Sequence, residues 1–126
     1  MPTYMLNATY SSGSWARLIR AVDDRSTAVN KLMRSLGGSL ENVYWEVSAR
    51  AVHAVVDLPD SSCAAAAAGV LSQTGAFRSV DVEEVLTQSQ FTGVLQLADN
   101  VSQEYRVPGQ ALLEDDSSQP AFRRVN

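Results

Sequence analysis

Polar and apolar side chains alternate along four stretches of the chain and recur at helical spacing between them. Thr3 to Tyr10 is rich in strand formers, with Leu6 and Ala8 on one side and Met5, Asn7 and Thr9 on the other. After Ser11-Ser12-Gly13-Ser14 the period becomes helical, at Trp15, Leu18, Ile19 and Val22, then at Ala28, Val29, Leu32, Met33 and Leu36. Asp23-Asp24-Arg25-Ser26 predicts an interruption near Asp24, and Gly37-Gly38 a stop. Residues 43 to 58 read as two strands joined by a tight Ser48-Ala49-Arg50 turn. In the first of them Val43, Trp45 and Val47 alternate with Tyr44, Glu46 and Ser48. The second has no polar face: Val52, Ala54 and Val56 point one way and Ala51, His53 and Val55 the other, the pattern of a strand covered on both sides. A helix follows Leu58-Pro59, with Asp60 or Ser61 as its N-cap, and runs from Cys63 to Thr74 before Gly75. Its alanines, Ala64 to Ala68, make a thin element that can lie close on a sheet. Phe77 to Thr87 alternates again, Val80, Val82 and Leu86 against Ser79, Asp81, Glu83 and Val85.

The order βαββαβ predicts an α+β, ferredoxin-like domain: a four-stranded antiparallel sheet with the helices on one face. One helical layer covers one side, so the other must meet solvent, a ligand or another subunit. The strand at 51–58 is too apolar for solvent alone. A dimeric α/β barrel is therefore the expected assembly, a homodimer or higher homo-oligomer that buries Met5, Ala51, Val55 and Val85 between facing sheets. Beyond Thr87, the residues Phe91, Val94, Leu95, Ala98, Val101 and Tyr105 predict an extra C-terminal helix over about 89–104, with Val107-Pro108-Gly109 as its break. The expected organisation is a domain over 1–88 and a C-terminal helix and arm over 89–126. That arm packs on the barrel or the partner through Leu112, Leu113 and Phe122, or is a mobile tail.

Composition narrows the classes. At 126 residues there is room for one core, and a net charge of -4, with no basic cluster longer than Arg123-Arg124, argues against a nucleic-acid surface. A single cysteine, Cys63, excludes an intrachain disulfide. Met1-Pro2-Thr3 leads straight into strand sequence, and the apolar run near Ala64 is too short to span a bilayer. A cytoplasmic protein away from membranes is expected.

Parity then gathers the candidate chemistry. If Leu6, Trp45, Val52 and Val82 face the helices, then Asn7, Thr9, Tyr44, Glu46, His53, Asp81 and Glu83 share the other face and come from all four strands. Unpaired buried polar groups cost about 1 to 3 kcal/mol each, so such a cluster is hydrated, mutually paired or ligand-contacting. The functional reading makes His53 a general base or acid oriented by Glu46 or Asp81, with Tyr44 and Asn7 as donors to a developing oxyanion. Thr9, Arg50 and Glu83 complete the candidate substrate contacts, Arg50 as a cation in an exposed turn. The competing reading has His53 hydrogen-bonded across a polar subunit interface. No cofactor is expected. A metal site would need His53 with Glu46, Asp81 or Glu83, and one histidine with a distant Cys63 makes no recognised ligand spacing. The chain is also short for a haem pocket, and it has no nucleotide fingerprint. Cys63 is read as a small core residue rather than a thiol activated by its helix N-terminus, and Trp15 and Trp45 as core.

Several features together resemble the GYD-domain family of the dimeric α/β barrel superfamily. They are Met1-Pro2-Thr3-Tyr4 with Tyr10 closing the first strand, Leu36-Gly37-Gly38, Val43-Tyr44-Trp45, the Val-rich strand before Leu58-Pro59-Asp60, the alanine helix and Gly75. The likeness covers about residues 1 to 91. The family's naming motif, a glycine followed closely by Tyr-Asp, is absent. Ser48, Arg50 and Ala51 stand at those positions. The superfamily includes isomerases, polyketide cyclases, cofactor-free monooxygenases and haem enzymes, so the resemblance implies a fold more than a reaction. Resemblance and residues together give the expectation of a cofactor-independent enzyme acting by proton transfer on a small, largely apolar organic molecule. An isomerase or cyclase in specialised, polyketide-like metabolism fits that description. The alternatives are a non-catalytic small-ligand-binding or interaction protein, and a cofactor-free monooxygenase in which Trp45, Tyr44 and Asn7 hold an oxidisable phenol.

Overall fold

The computed structural model describes residues 1–109, in the order β1 (Thr3–Tyr10), α1 (Ser12–Arg20), α2 (Arg25–Ser35), β2 (Ser39–Glu46), β3 (Ala51–Asp57), α3 (Ser61–Ser72), β4 (Phe77–Val85) and α4 (Gln88–Asn100). The C-terminal arm expected through Leu112, Leu113 and Phe122 lies outside the described residues. The strands form one antiparallel sheet in the order β2-β3-β1-β4, the ferredoxin-like α+β arrangement that the βαββαβ order predicts. Contacts divide the chain into two compact units, one spanning Met1–Leu86 and a second beginning at Thr87.

Local chemistry explains the element ends. The first helical stretch is two helices, because Asp24 turns its carboxylate onto the backbone N–H of Ser26 and the hydroxyls of Ser26 and Thr27, starting α2 afresh. These hydrogen bonds hold the Asp24 carboxyl below its ordinary range. At the other end of α2, the N–H of Gly38 donates to Met33 O at 2.9 Å and that of Gly37 to Arg34 O at 3.0 Å, a Schellman stop with Gly37 left-handed at φ +87°. Asp60 is the cap of α3, its Oδ1 accepting from the Cys63 N–H at 2.9 Å. Within α3 only Ala64 and Ala67 are buried, which is what the thin alanine face allows. In the second unit α4 opens with a capping box between Thr87 and Gln90, and it ends at Asn100, one turn short of the expected 104.

The core lies on one sheet face. Tyr4, Leu6, Ala8 and Tyr10 of β1 and Val52, Ala54 and Val56 of β3 are buried together with Met33 of α2 and Ala64 and Ala67 of α3. Tyr10 anchors an aromatic cluster, its ring centroid 4.5 Å from Phe77, 6.0 Å from Trp15 and 6.1 Å from Trp45, which it stacks on. Trp15 thus packs on the core as expected, whereas Trp45, on edge strand β2, stacks on Tyr10 but stays 39% exposed. β2 begins four residues earlier than the alternation from Val43 suggests. The register shifts between Leu40 and Asn42, so Glu41 interrupts the period there. Val47, expected in the strand, falls in the turn.

Two glycines test this account in opposite directions. A Cβ on Gly38 would stand 1.8 Å from the Asp57 carbonyl oxygen, a backbone atom that cannot give way, whereas one on Gly69 in α3 would meet nothing within 4 Å. Gly38→Ala should therefore lower stability by about 2 kcal/mol or more, in the range of overpacked cores. Gly69→Ala should raise it by roughly 0.5–1 kcal/mol through helix propensity. Urea denaturation of both variants checks the pair.

Candidate functional site on the open sheet face

Opposite α1, α2 and α3, strand register sets side chains in rows. Tyr44, His53, Asn7 and Asp81 are successive cross-strand partners, one from each of β2, β3, β1 and β4. The next row is Glu46, Ala51, Thr9 and Ser79, and the row on the other side Asn42, Val55, Met5 and Glu83. Every residue that parity assigned to this face is therefore in one of three adjacent rows. Arg50 is not. It lies in the turn at φ 53°, left-handed for a residue with a Cβ, and is half-buried rather than exposed, its Nε buried without a hydrogen-bond partner.

His53 is where the rows make a connected group. Its Nδ1 lies 2.7 Å from Asn7 Oδ1, directly across the ladder, and its Nε2 lies 2.9 Å from Glu46 Oε1, diagonally across β2. Two acceptors facing two ring nitrogens require two N–H groups, so this arrangement suits the doubly protonated imidazolium. The neutral ring keeps both contacts once the Asn7 amide turns over and presents its NH2 to Nδ1. The ring is one-third exposed and the Glu46 carboxylate just over half, at 33% and 55%. A molecule approaching the face thus meets the carboxylate first and the ring behind it. Of the two groups expected to orient His53, Glu46 does so and Asp81 does not. Asp81 sits beyond Asn7 on edge strand β4, exposed. Asn7, expected as an oxyanion donor, has its carbonyl oxygen on the ring, while Tyr44, 58% exposed, is the cross-strand partner of His53. Thr9 and Glu83 share the face without joining the group.

One feature of this side of the sheet escapes alternation. The Glu41 carboxyl is pushed above its ordinary range, chiefly by a hydrogen bond to the Asp57 carboxylate and by that group's charge, with the Ser39 hydroxyl, 3.2 Å from Oε2, pulling the other way. Asp57 in turn accepts from the Thr3 hydroxyl at 3.0 Å. Glu41 is the residue at the β2 bulge, and no period-2 reading places a side chain there. The Cys63 thiol is pushed up by burial and by Asp60, the opposite of an activated nucleophile. Among the described residues no group of three His, Cys, Asp or Glu side chains could hold a metal ion. No helix among them is long and apolar enough to cross a membrane. A cavity of about 370 Å³ opens on the helix-covered side of the sheet, lined by residues of which alternation and spacing single out none as a ligand contact.

The family model described as the GYD domain matches residues 4–95, which run from the second residue of β1 into α4. No curated protein and no solved structure matches the chain significantly.

The carboxyl pair gives a pH signature of known sign. A carboxyl whose value is raised in the folded protein binds its proton more tightly folded than unfolded, so its contribution to stability falls as pH climbs from about 4 through the raised value. Asp24 and Asp60, both lowered by their capping hydrogen bonds, act in the other direction and lose their contribution as pH falls. Glu41→Gln removes only the first effect. Thermal melts across about pH 4 to 7 should show the variant gaining on the parent protein as pH rises. Parallel curves would mean that the pair is not coupled.

Proposed function

The chain belongs to the GYD-domain family, and from the geometry of its open sheet face we propose that it is a cofactor-independent enzyme. It moves a proton within a small, largely apolar organic molecule, as an isomerase or cyclase does, and it works as a homodimer whose second sheet roofs the site. One observation carries this reading: His53 is gripped at both ring nitrogens, by Asn7 and Glu46, on the sheet face opposite α1, α2 and α3. An imidazole between an amide and a carboxylate fixes the orientation of that carboxylate. In the reaction, the outer carboxylate of Glu46 takes a proton from a carbon next to a carbonyl, and the C–H electron pair moves into the enolate. His53 keeps its Nε2–H on the other carboxylate oxygen and holds Glu46 in place, and the Tyr44 phenol donates to the enolate oxygen. Return of the proton to a different carbon completes an isomerisation with no oxidant or reductant. Attack of the enolate carbon on a second carbonyl of the same molecule, with the proton passed to the new alkoxide, completes a cyclisation.

The roof follows from the apolar side chains on the same face. Ala51, expected to need a facing sheet, is already buried in the single chain, but Met5 and Val55 are only half-buried and Val85 is 40% exposed, so a facing sheet would remove these three from water and enclose Glu46 and His53. Val55→Glu should shift the protein from about twice 13.6 kDa to 13.6 kDa in sedimentation at micromolar concentration. A parent protein that sediments as a monomer would remove the roof from the proposal.

Chemistry is tested by solvent-deuterium wash-in. A panel of enolisable ketones and β-diketones in D2O, followed by mass spectrometry, should reveal exchange above the buffer rate. His53→Ala and Glu46→Gln should each reduce it by about 10²–10⁴-fold, the usual weight of positioned acid–base groups, with an unchanged circular dichroism spectrum. Full exchange by His53→Ala, or no exchange above buffer across the panel, overturns the reading. The second reading is a non-catalytic ligand-binding protein. It is favoured by the same two hydrogen bonds, since a ring satisfied on both sides is also a stable interface element. Ligand binding without exchange would mark it, and oxygen consumption would mark the cofactor-free monooxygenase instead.

A further inference from the structure

The cavity of about 370 Å³ lies on the opposite side of the sheet from His53, within the first compact unit. Its size is within the range of about 300–1,000 Å³ found for small-molecule sites. Leu18 of α1, Val29 and Leu32 of α2, Leu71 of α3 and Phe77 of β4 give it apolar walls. The space opens to solvent on one side between three helices and a strand, and an apolar body seated in it would remove its mostly apolar walls from water. The polar groups on its lining say which kind.

Two of them are guanidiniums. Arg17 donates from Nη2 to the hydroxyl of Ser14, the buried polar side chain of the core layer, at 2.9 Å, and Arg25 donates from Nη1 to Asp23 Oδ2 at 3.1 Å. Each guanidinium has five N–H donors, and these bonds use a minority of them. Two cations facing one carboxylate leave one positive charge at the cavity, in a protein whose net charge is -4. The Tyr10 phenol also lines it. Burial pushes that phenol up, with the Arg25 guanidinium beside it pulling the other way, so it stays a neutral O–H donor at ordinary pH. Apolar walls with a surplus cation and a phenol O–H complement one class of molecule. We infer that this cavity is a second ligand site, separate from the open sheet face, that takes a small hydrophobic carboxylic acid, its carboxylate on Arg17 and Arg25 and its apolar body against Leu32, Leu71 and Phe77.

Three probes of equal length and different charge test this: octanoate, octan-1-ol and octylammonium, titrated into the full chain by calorimetry. The expected order of affinity is octanoate, then the alcohol, then the cation, with octanoate at least about tenfold tighter than the alcohol because charge-assisted bonds are the stronger ones. Amide shifts in a heteronuclear NMR spectrum should centre on Ala21, Ala28 and Ala76, which line the cavity. The double variant Arg17→Gln, Arg25→Gln should lose the preference for octanoate over octanol while keeping octanol binding, and Ala28→Phe, which fills the space, should lose both. Equal affinity for octanoate and octanol in the parent protein overturns the inference without reliance on any variant. So do shifts confined to other residues, or octanoate binding that survives Ala28→Phe. Activity at the open face has no part in these readouts, so failure here leaves the proton-transfer reading untouched, and failure there leaves this one.

Discussion

A slip of one residue between β1 and β3 would exchange every buried side chain of the central pair for one on the open face, so the whole molecule depends on that register. Several contacts away from the ladder hold it. The Thr3 hydroxyl donates to Asp57 at one end, the Leu58 N–H donates to Pro2 O just beyond, and the Tyr10 N–H donates to Arg50 O at the other end. Gly38 adds a steric pin. It brings the end of α2 so close to the Asp57 carbonyl that no side chain fits between, which ties the helical layer to the same end of β3. With the register pinned, Leu6 lies between Ala54 and Val82 in the core, and Asn7 lies between His53 and Asp81 outside it. Core and candidate site are the even and odd positions of one strand.

That is why the fold and the membership of the open face were legible in the sequence while the bonding on it was not. Period-2 alternation in Thr3–Tyr10 and in the strand around Val52 determines faces, and helical spacing with Gly37-Gly38 determines where the first layer ends. Parity does not determine which neighbours on a face touch. Tyr44 is the direct partner of His53, yet the ring bonds diagonally to Glu46, and Asp81 has the right parity on a strand one place too far. Bulges defeat parity altogether. Glu41 occupies one, and its pairing with Asp57 could have been guessed only by noticing that Ser39-Leu40-Glu41-Asn42 precedes a clean alternation without belonging to it.

Arg50 shows the same boundary from the side of the backbone. The turn between β2 and β3 was legible from composition, but its left-handed residue was not, since that conformation favours glycine or asparagine and the chain has arginine there. It is also one of the positions at which the chain departs from the family's glycine and Tyr-Asp pattern. The residue is half-buried with an unpaired Nε, so the departure carries a local cost in both backbone and solvation, of the kind that accumulates at sites with a role beyond folding.

The helix-side cavity has a cause of this local sort as well. Had the first helical stretch run unbroken from Ser12 to Ser35, Asp23 and Arg25 would sit on a continuous helix surface. Asp24 instead ends the run by capping α2, so residues 21 to 24 become a loop. The cavity takes its walls from both sides of that break, Leu18 before it and Val29 and Leu32 after it, and takes Asp23 and Arg25 from the break itself. Helical periodicity records the apolar wall on each side and is silent about the space between them, because the space depends on the angle between two axes and not on either period. A capping carboxylate at one position thus decides where the second helix starts and places the break that the two sides of the cavity flank.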